Sequence, residues 1–166
     1  MSTLQESIGF SDQIRKMFDS LAPSYDFLNT LLSLGIDRYW RRKAVSLLHP
    51  EKGGRFLDVA TGTCDMVLEI ANREGTESYG IDFSRSMLLL GQKKLSKEGV
   101  ADRVKLQQGC GQNLPYADNS FDGSICAFGI RNFFDPLQGL KEMIRVLKPE
   151  GQLVIFGVFI SEDQYL

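Results

Sequence analysis

The stretch Arg55-Phe-Leu-Asp-Val-Ala-Thr-Gly-Thr-Cys-Asp-Met66 restricts this chain more than any other part of it. Phe56, Leu57 and Val59 make a short apolar run of the kind buried on both faces of a parallel sheet. A turn of small residues follows, Ala60-Thr61-Gly62-Thr63, and then apolar residues at helical spacing, Met66, Val67, Ile70 and Ala71. Strand, tight turn and helix start in direct succession is the unit with which α/β sheets bring a ligand to a helix N-terminus. A second run, Glu77-Ser-Tyr-Gly-Ile-Asp82, ends in an acid 24 positions after Asp58. That spacing suits a carboxylate holding the two ribose hydroxyls of a bound nucleoside.

The alternation continues along the chain. Strands are expected at 55–60, 77–82, 103–108, 121–127 and 152–159. Between them the pattern predicts helices at 65–74, at 84–97 with Ser84 as cap, and at 136–147 from Pro136 onward. A long loop occupies 109–120, and Lys148-Pro149-Glu150-Gly151 joins the last helix to the last strand. Such an order implies an α/β fold with a Rossmann-like, doubly wound, mostly parallel sheet and right-handed crossovers.

Ahead of the first strand the chain reads as helix. Ser11-Asp12 can cap a segment with Ile14, Met17, Phe18 and Leu21 in helical period, ended by Pro23. Tyr25 to Leu34 continues in that period and closes at Gly35. Asp37 then caps a third helix, Tyr39 to Leu48, with Arg38, Arg41, Arg42 and Lys43 on its outer face and His49-Pro50 as its stop. The division expected is a helical cap over 1–50 and a ligand-binding domain over 51–166, in one compact unit.

Composition narrows the class. A chain of 166 residues buries roughly 70% of the surface it exposes when unfolded, enough for one domain. The net charge of −2, with both signs mixed along the chain, offers no field for nucleic acid. Cys64, Cys110 and Cys126 stand far apart, without a CxxC and with His49 as the one histidine. That excludes a zinc site and a disulfide framework and suits a reducing cytosol. The first residues lack the basic and apolar regions of a leader, and no apolar run approaches the ~20 residues of a membrane span.

The turn after strand 1 is not a dinucleotide fingerprint, because Ala60 onward reads Ala-Thr-Gly-Thr-Cys-Asp. Asp65 at the helix opening would repel a pyrophosphate and welcome a cationic amine or sulfonium, which favours S-adenosylmethionine over NAD. Beyond strand 4, Ala127-Phe-Gly-Ile-Arg-Asn-Phe133 places Arg131 and Asn132 where α/β sheets bind ligands, although Arg131 can also pair with Asp135.

Asp58-x-Ala60-x-Gly62-Thr63, Asp82, Leu114-Pro-x-x-Asp-Asn-Ser-Phe-Asp122 and Arg145-Val-Leu-Lys-Pro-x-Gly151 together resemble class I S-adenosylmethionine-dependent methyltransferases. Within that class, three further stretches are similar to the ubiquinone/menaquinone biosynthesis C-methyltransferase family. They are Met17-Phe-Asp-x-Leu-Ala-x-x-Tyr-Asp26-x-x-Asn29, Ser33-Leu-Gly-Ile-Asp-Arg-x-Trp40 and Phe128-Gly-Ile-Arg-Asn-Phe133. The resemblance runs from about residue 12 to about residue 156.

The resemblance implies S-adenosylmethionine as cofactor, bound by Asp58, Gly62, Thr63, Asp82, Phe83, Cys110, Gly111 and Ala127. Asp82 would take the ribose hydroxyls and Phe83 would lie against adenine. A polyprenyl quinol substrate would enter under the cap near Tyr25, Asp26 and Asn29, with its ring facing Arg131 and Asn132. Methyl transfer to a ring carbon beside a phenolic oxygen needs phenolate stabilisation, which Arg131 can supply, and a proton relay, for which Tyr25 or Asp26 serves. No metal is required, and the expected location is the cytoplasm, peripheral to a membrane. Three departures stand out. The family has Gly where this chain has Cys64, whose side chain must point away or crowd the cofactor. It has Asp or Asn where this chain has Cys110. It also continues with further helices and an antiparallel hairpin, so the fold is expected to be truncated after the fifth strand. The alternative to an active enzyme is a truncated, weakly active or inactive cofactor-binding domain, dimerised through the bare sheet edge.

Overall fold

Apolar runs too short for helices pair side by side in the computed structural model, which describes residues 36–157 together with Gly9, Ile14, Lys16, Met17, Asp19 and Ser20. The elements are α1 (Ile36–Ser46), β1 (Gly54–Val59), α2 (Asp65–Ala71), β2 (Thr76–Asp82) and α3 (Arg85–Lys97). They continue as β3 (Val104–Gln108), β4 (Phe121–Ala127), α4 (Pro136–Arg145) and β5 (Leu147–Phe156). The five strands form one sheet in the order β3-β2-β1-β4-β5, and every neighbouring pair is parallel. The order reverses between β1 and β4, which makes the carboxyl ends of those two strands the topological switch point.

Both sheet faces are covered. Leu57, Val59, Ile81, Phe121, Met143 and Val146 fill one side, against α4. Phe56, Met66, Ile70 and Ile125 fill the other, and there Ala44 and Val45 of α1 and Leu48 of the turn after it join them. Burying Val45 and Leu48 contributes on the order of 1.5–3 kcal/mol each, so α1 is part of the core.

Expected and observed boundaries differ where local chemistry decides. Asp37 lies within α1 rather than ahead of it, where the sequence places it. Arg41 is not on the outer face, because its guanidinium turns inward to Asp65 at 3.0 Å. α2 stops at Ala71, three residues short of the expected end, with Asn72 as its C-cap. Lys148-Pro149-Glu150-Gly151 is part of β5 rather than a connector. Leu147 pairs with Phe121, the strand bulges at Glu150 (φ +67°), and pairing resumes at Gln152 opposite Gly123. Ser84 and Asp135 cap α3 and α4, accepting from the backbone N–H groups of Met87 (3.2 Å) and Gln138 (2.9 Å). Ile14, Lys16, Met17, Asp19 and Ser20 are helical, as the spacing predicts. The helix expected over Tyr25–Leu34 lies outside the described residues.

Candidate active site

Two loops leave the sheet at the switch point, residues 60–64 after β1 and 128–133 after β4, and they touch. A Cβ added to Gly129 would stand 2.4 Å from Cβ of Ala60, so only glycine fits there. Alternate residues of the first loop adopt left-handed backbone, Ala60 at φ +60°, Gly62 at +54° and Cys64 at +69°, and Phe128 in the second sits at +57°. Non-glycine residues in that region cost of order 1–3 kcal/mol each, and such strain gathers at ligand sites.

Beneath the turn lies Asp58. Its Oδ2 accepts from the Thr61 hydroxyl (2.5 Å) and from the Val67 N–H (3.2 Å), which ties β1, the turn and α2 together. Burial pushes its carboxyl up to about 7, against the lowering effect of those two bonds. Asp58 organises the turn from below and does not line the cavity described next. The same holds for Thr63, whose hydroxyl accepts from Lys94 Nζ at 3.3 Å. Asp65 is engaged too, by Lys94 at 2.7 Å and Arg41 at 3.0 Å. Its charge is already compensated, so the expected welcome for a sulfonium does not come from Asp65.

A cavity of about 400 Å³ opens above the switch point, within the ~300–1,000 Å³ range of small-molecule sites. Asp82, at the end of β2, lines it. One carboxylate oxygen accepts from the Gly62 N–H and the other from the Ser84 N–H, both at 2.8 Å. Burial raises its pKa, with the backbone bonds opposing. The Phe83 backbone is a third donor to this carboxylate, and the two oxygens together keep acceptor capacity beyond these bonds. Gly62, Phe83, Cys110, Gly111, Ala127, Arg131 and Asn132 share the same wall. Of the predicted cofactor and catalytic residues, the cavity thus gathers all but Asp58 and Thr63, and Tyr25, Asp26 and Asn29, which lie outside the described residues.

Arg131 follows the 3₁₀ turn onset at Ile130 and is exposed. Among the described residues it has no ion-pair partner, and Asp135 caps α4 instead of pairing with it. The amide of Asn132 donates to the Phe128 carbonyl at 3.5 Å. Met17, Met87, Gln112, Phe128 and Phe133 also line the cavity. Sequence reasoning assigned them no role, although Phe128 and Phe133 flank the Arg-Asn pair and Gln112 lies in the loop before β4. That loop is pinned by Arg145, which donates to the carbonyls of Leu114 (3.0 Å) and Tyr116 (2.8 Å) and pairs with Asp118 and Glu142, both at 2.7 Å. The guanidinium holds the Glu142 carboxyl below its usual range.

The three cysteines divide by position. Cys110 is on the cavity wall. Cys64 points away from it and packs against Gly91, and burial pushes its thiol up to about 12. Cys126 is buried, and burial raises its thiol to about 12 as well. Among the described residues no group of three or more His, Cys, Asp or Glu side chains could hold a metal ion. No helix there is long and apolar enough to cross a membrane.

The profile of the ubiE/COQ5 methyltransferase family matches residues 6–162. The chain is 52% identical over 146 residues to the ubiquinone/menaquinone biosynthesis C-methyltransferase of Geotalea daltonii, covering 87% of this chain and 62% of that one. It is 47% identical over 146 residues to the demethylmenaquinone methyltransferase of Bacteroides fragilis, covering 87% and 60%. The chain therefore spans about three fifths of the length of these curated relatives. Among solved structures, the cyclase SpnF superposes with a TM-score of 0.77 at 23% identity, over 87% of this chain and 59% of that one. An S-adenosylmethionine-dependent methyltransferase from Aquifex aeolicus gives 0.54 at 29%, over 62% and 60%.

Proposed function

Since this chain belongs to the ubiE/COQ5 methyltransferase family, we propose that it methylates a ring carbon of a polyprenyl hydroquinol in menaquinone or ubiquinone biosynthesis. S-adenosylmethionine is the proposed cofactor, and when bound it supplies an electrophilic sulfonium methyl. One observation carries the reading: Asp82 presents a buried carboxylate to the cavity, held in place by backbone N–H groups on both oxygens. A rigid two-oxygen acceptor is what a vicinal ribose diol requires. Phe83 offers an apolar face for adenine, and Cys110, Gly111, Gly62 and Ala127 line the remaining wall. Asp58 and Thr63 serve the cofactor by holding the turn rather than by touching it.

Arg131, cationic at every working pH, stabilises the phenolate whose charge activates the neighbouring carbon, and it orients the ring together with Asn132. It cannot act as base. Tyr25 or Asp26 moves the phenolic proton, the proton on the methylated ring carbon leaves to solvent as the ring regains aromaticity, and Asn29 contacts the substrate. A prenylated substrate calls for a cytoplasmic protein working at a membrane face. The relatives' names, which cite menaquinone and ubiquinone pathways and demethylmenaquinone, support this substrate class for the family.

Calorimetric titration with S-adenosylmethionine and S-adenosylhomocysteine, beside NADH, tests the reading. Both adenosyl ligands bind and NADH does not, and Asp82→Ala weakens them by about 2–3 kcal/mol through loss of a charged acceptor for two hydroxyls. Binding of NADH alone, or undiminished affinity in the variant, refutes it.

A further inference from the structure

α1 carries large apolar side chains on the side turned away from the sheet. Ala44, Val45 and Leu48 face the core, and Arg41 turns the same way toward Asp65. At 100° per residue, Tyr39 falls opposite that side with Ile36 and the following Leu47 beside it, while Trp40 sits on the flank, about 40° from Ala44 and half-exposed. Tyr39 is 63% exposed and Ile36 54%, so this face is open to solvent. Arg38, Arg42 and Lys43 are exposed among these residues, and Arg42 makes only a 4.0 Å approach to Glu69. In a chain of net charge −2 the basic patch is local. Tyrosine and tryptophan interleaved with arginine and lysine on an exposed helix is the composition of an interfacial membrane helix. The rings also lead inward. Trp40 stacks on Phe156 at 6.4 Å, Phe156 meets Phe128 edge-on at 5.1 Å, and Phe128 lines the cavity.

We infer that α1 docks the protein on an anionic phospholipid surface. Tyr39 enters the headgroup region with the half-exposed ring of Trp40 at its border, while Arg38, Arg42 and Lys43 lie against lipid phosphates. Charge decides the occupant. A second copy meeting the same patch about a two-fold axis would oppose three cations to three cations, whereas an anionic bilayer complements them. The docking stands on α1 alone. Its use, bringing the cavity beside the bilayer that holds a prenylated substrate, rests on the function proposed above.

Trp40 is the single tryptophan of the chain, so intrinsic fluorescence reads this surface directly. The protein is mixed with vesicles of phosphatidylcholine alone or of phosphatidylcholine with phosphatidylglycerol, and sedimented. The expected result is co-sedimentation and a blue shift of Trp40 emission with the anionic vesicles only, both weakened by added salt. The triple variant Arg38→Gln/Arg42→Gln/Lys43→Gln keeps Trp40 and lowers partitioning on the order of a hundredfold. Lys93→Gln/Lys97→Gln/Arg103→Gln makes the same charge change at exposed positions elsewhere and binds like the parent. Equal loss in both triples, or an unshifted Trp40 on anionic vesicles, overturns the inference. So does a dimer in sedimentation velocity that the α1 triple dissolves, which would assign the face to a second copy. Neither vesicle readout involves cofactor, so failure here is distinct from failure of the calorimetric titration.

Discussion

Cys64 and Gly91 form a pair whose coupling the structure sets. A methyl built on Gly91 would stand 2.1 Å from Cys64 Sγ and 2.9 Å from its Cβ, with the Thr63 carbonyl carbon next at 3.2 Å. Gly91→Ala alone therefore overpacks the α2–α3 contact, a cost of about 1–3 kcal/mol. Cys64→Gly alone removes a fully buried thiol, losing about 2 kcal/mol of burial and packing, and relieves a left-handed backbone worth about 1 kcal/mol. The net is a loss near 1 kcal/mol. In the double variant the new methyl fills the space the thiol left, and alanine replaces glycine inside α3, a gain of about 0.8–1 kcal/mol. The same helix gain acts in Gly91→Ala alone and cancels from the cycle, so the double variant should match the parent within about 1 kcal/mol, a coupling of about 2 kcal/mol. Urea unfolding followed by far-ultraviolet circular dichroism gives the four free energies, with m-values checked for constancy. If the single losses simply add, the thiol is not seated against Gly91 and this account of the turn fails. Because Cys64 is off the cavity wall, S-adenosylmethionine affinity should not change in Cys64→Gly. Of the two alternatives that the residue type left open, pointing away or crowding the cofactor, the contact with Gly91 selects the first.

Three further outcomes follow from the site. Arg131→Ala should abolish methyl transfer while leaving cofactor affinity nearly intact, read by single-turnover assay and calorimetry; a parallel loss of cofactor binding refutes its role at the phenolate. Cys110→Asp should tighten S-adenosylmethionine by on the order of 1 kcal/mol if this wall position meets the adenine amine; unchanged affinity removes that contact. The Asp58 carboxyl moves from 3.8 to about 7 on folding. Between those values the native state holds a proton that the unfolded state has released, so this group's contribution to stability falls as pH rises, by about 4 kcal/mol in all. It levels off above pH 7. The stability of Asp58→Asn minus that of the parent should therefore climb from about pH 4 to 7 and then flatten; a pH-independent difference contradicts the buried, proton-holding carboxyl.

The alternation of strand and helix, the cap at Ser84 and the acid ending β2 were all readable in the chain, whereas Asp135 was read as a partner for Arg131 and caps α4 instead. Each depends on local rules, namely apolar period, capping chemistry and a strand ending at a ligand. Arg131 and Asn132 belong to the same class, since a pair after a strand's carboxyl end lies at the switch point. Tertiary structure decided what charge and conformation local rules leave open. Asp65 is acidic in any reading, yet only the approach of Lys94 from α3 and Arg41 from α1 compensates it. Cys64 is a thiol at a helix start in the sequence, and its direction depends on a glycine 27 positions away that vacates the space. Asp58 and Asp82 are both acids that terminate or nearly terminate a strand. One sits under the turn and the other on the cavity wall, because the Thr61 hydroxyl and the Val67 amide claim the first, while backbone amides aim the second into the open space. Spacing along a chain identifies which groups can bind. Which of them reach the ligand depends on partners that the fold brings in from distant sequence.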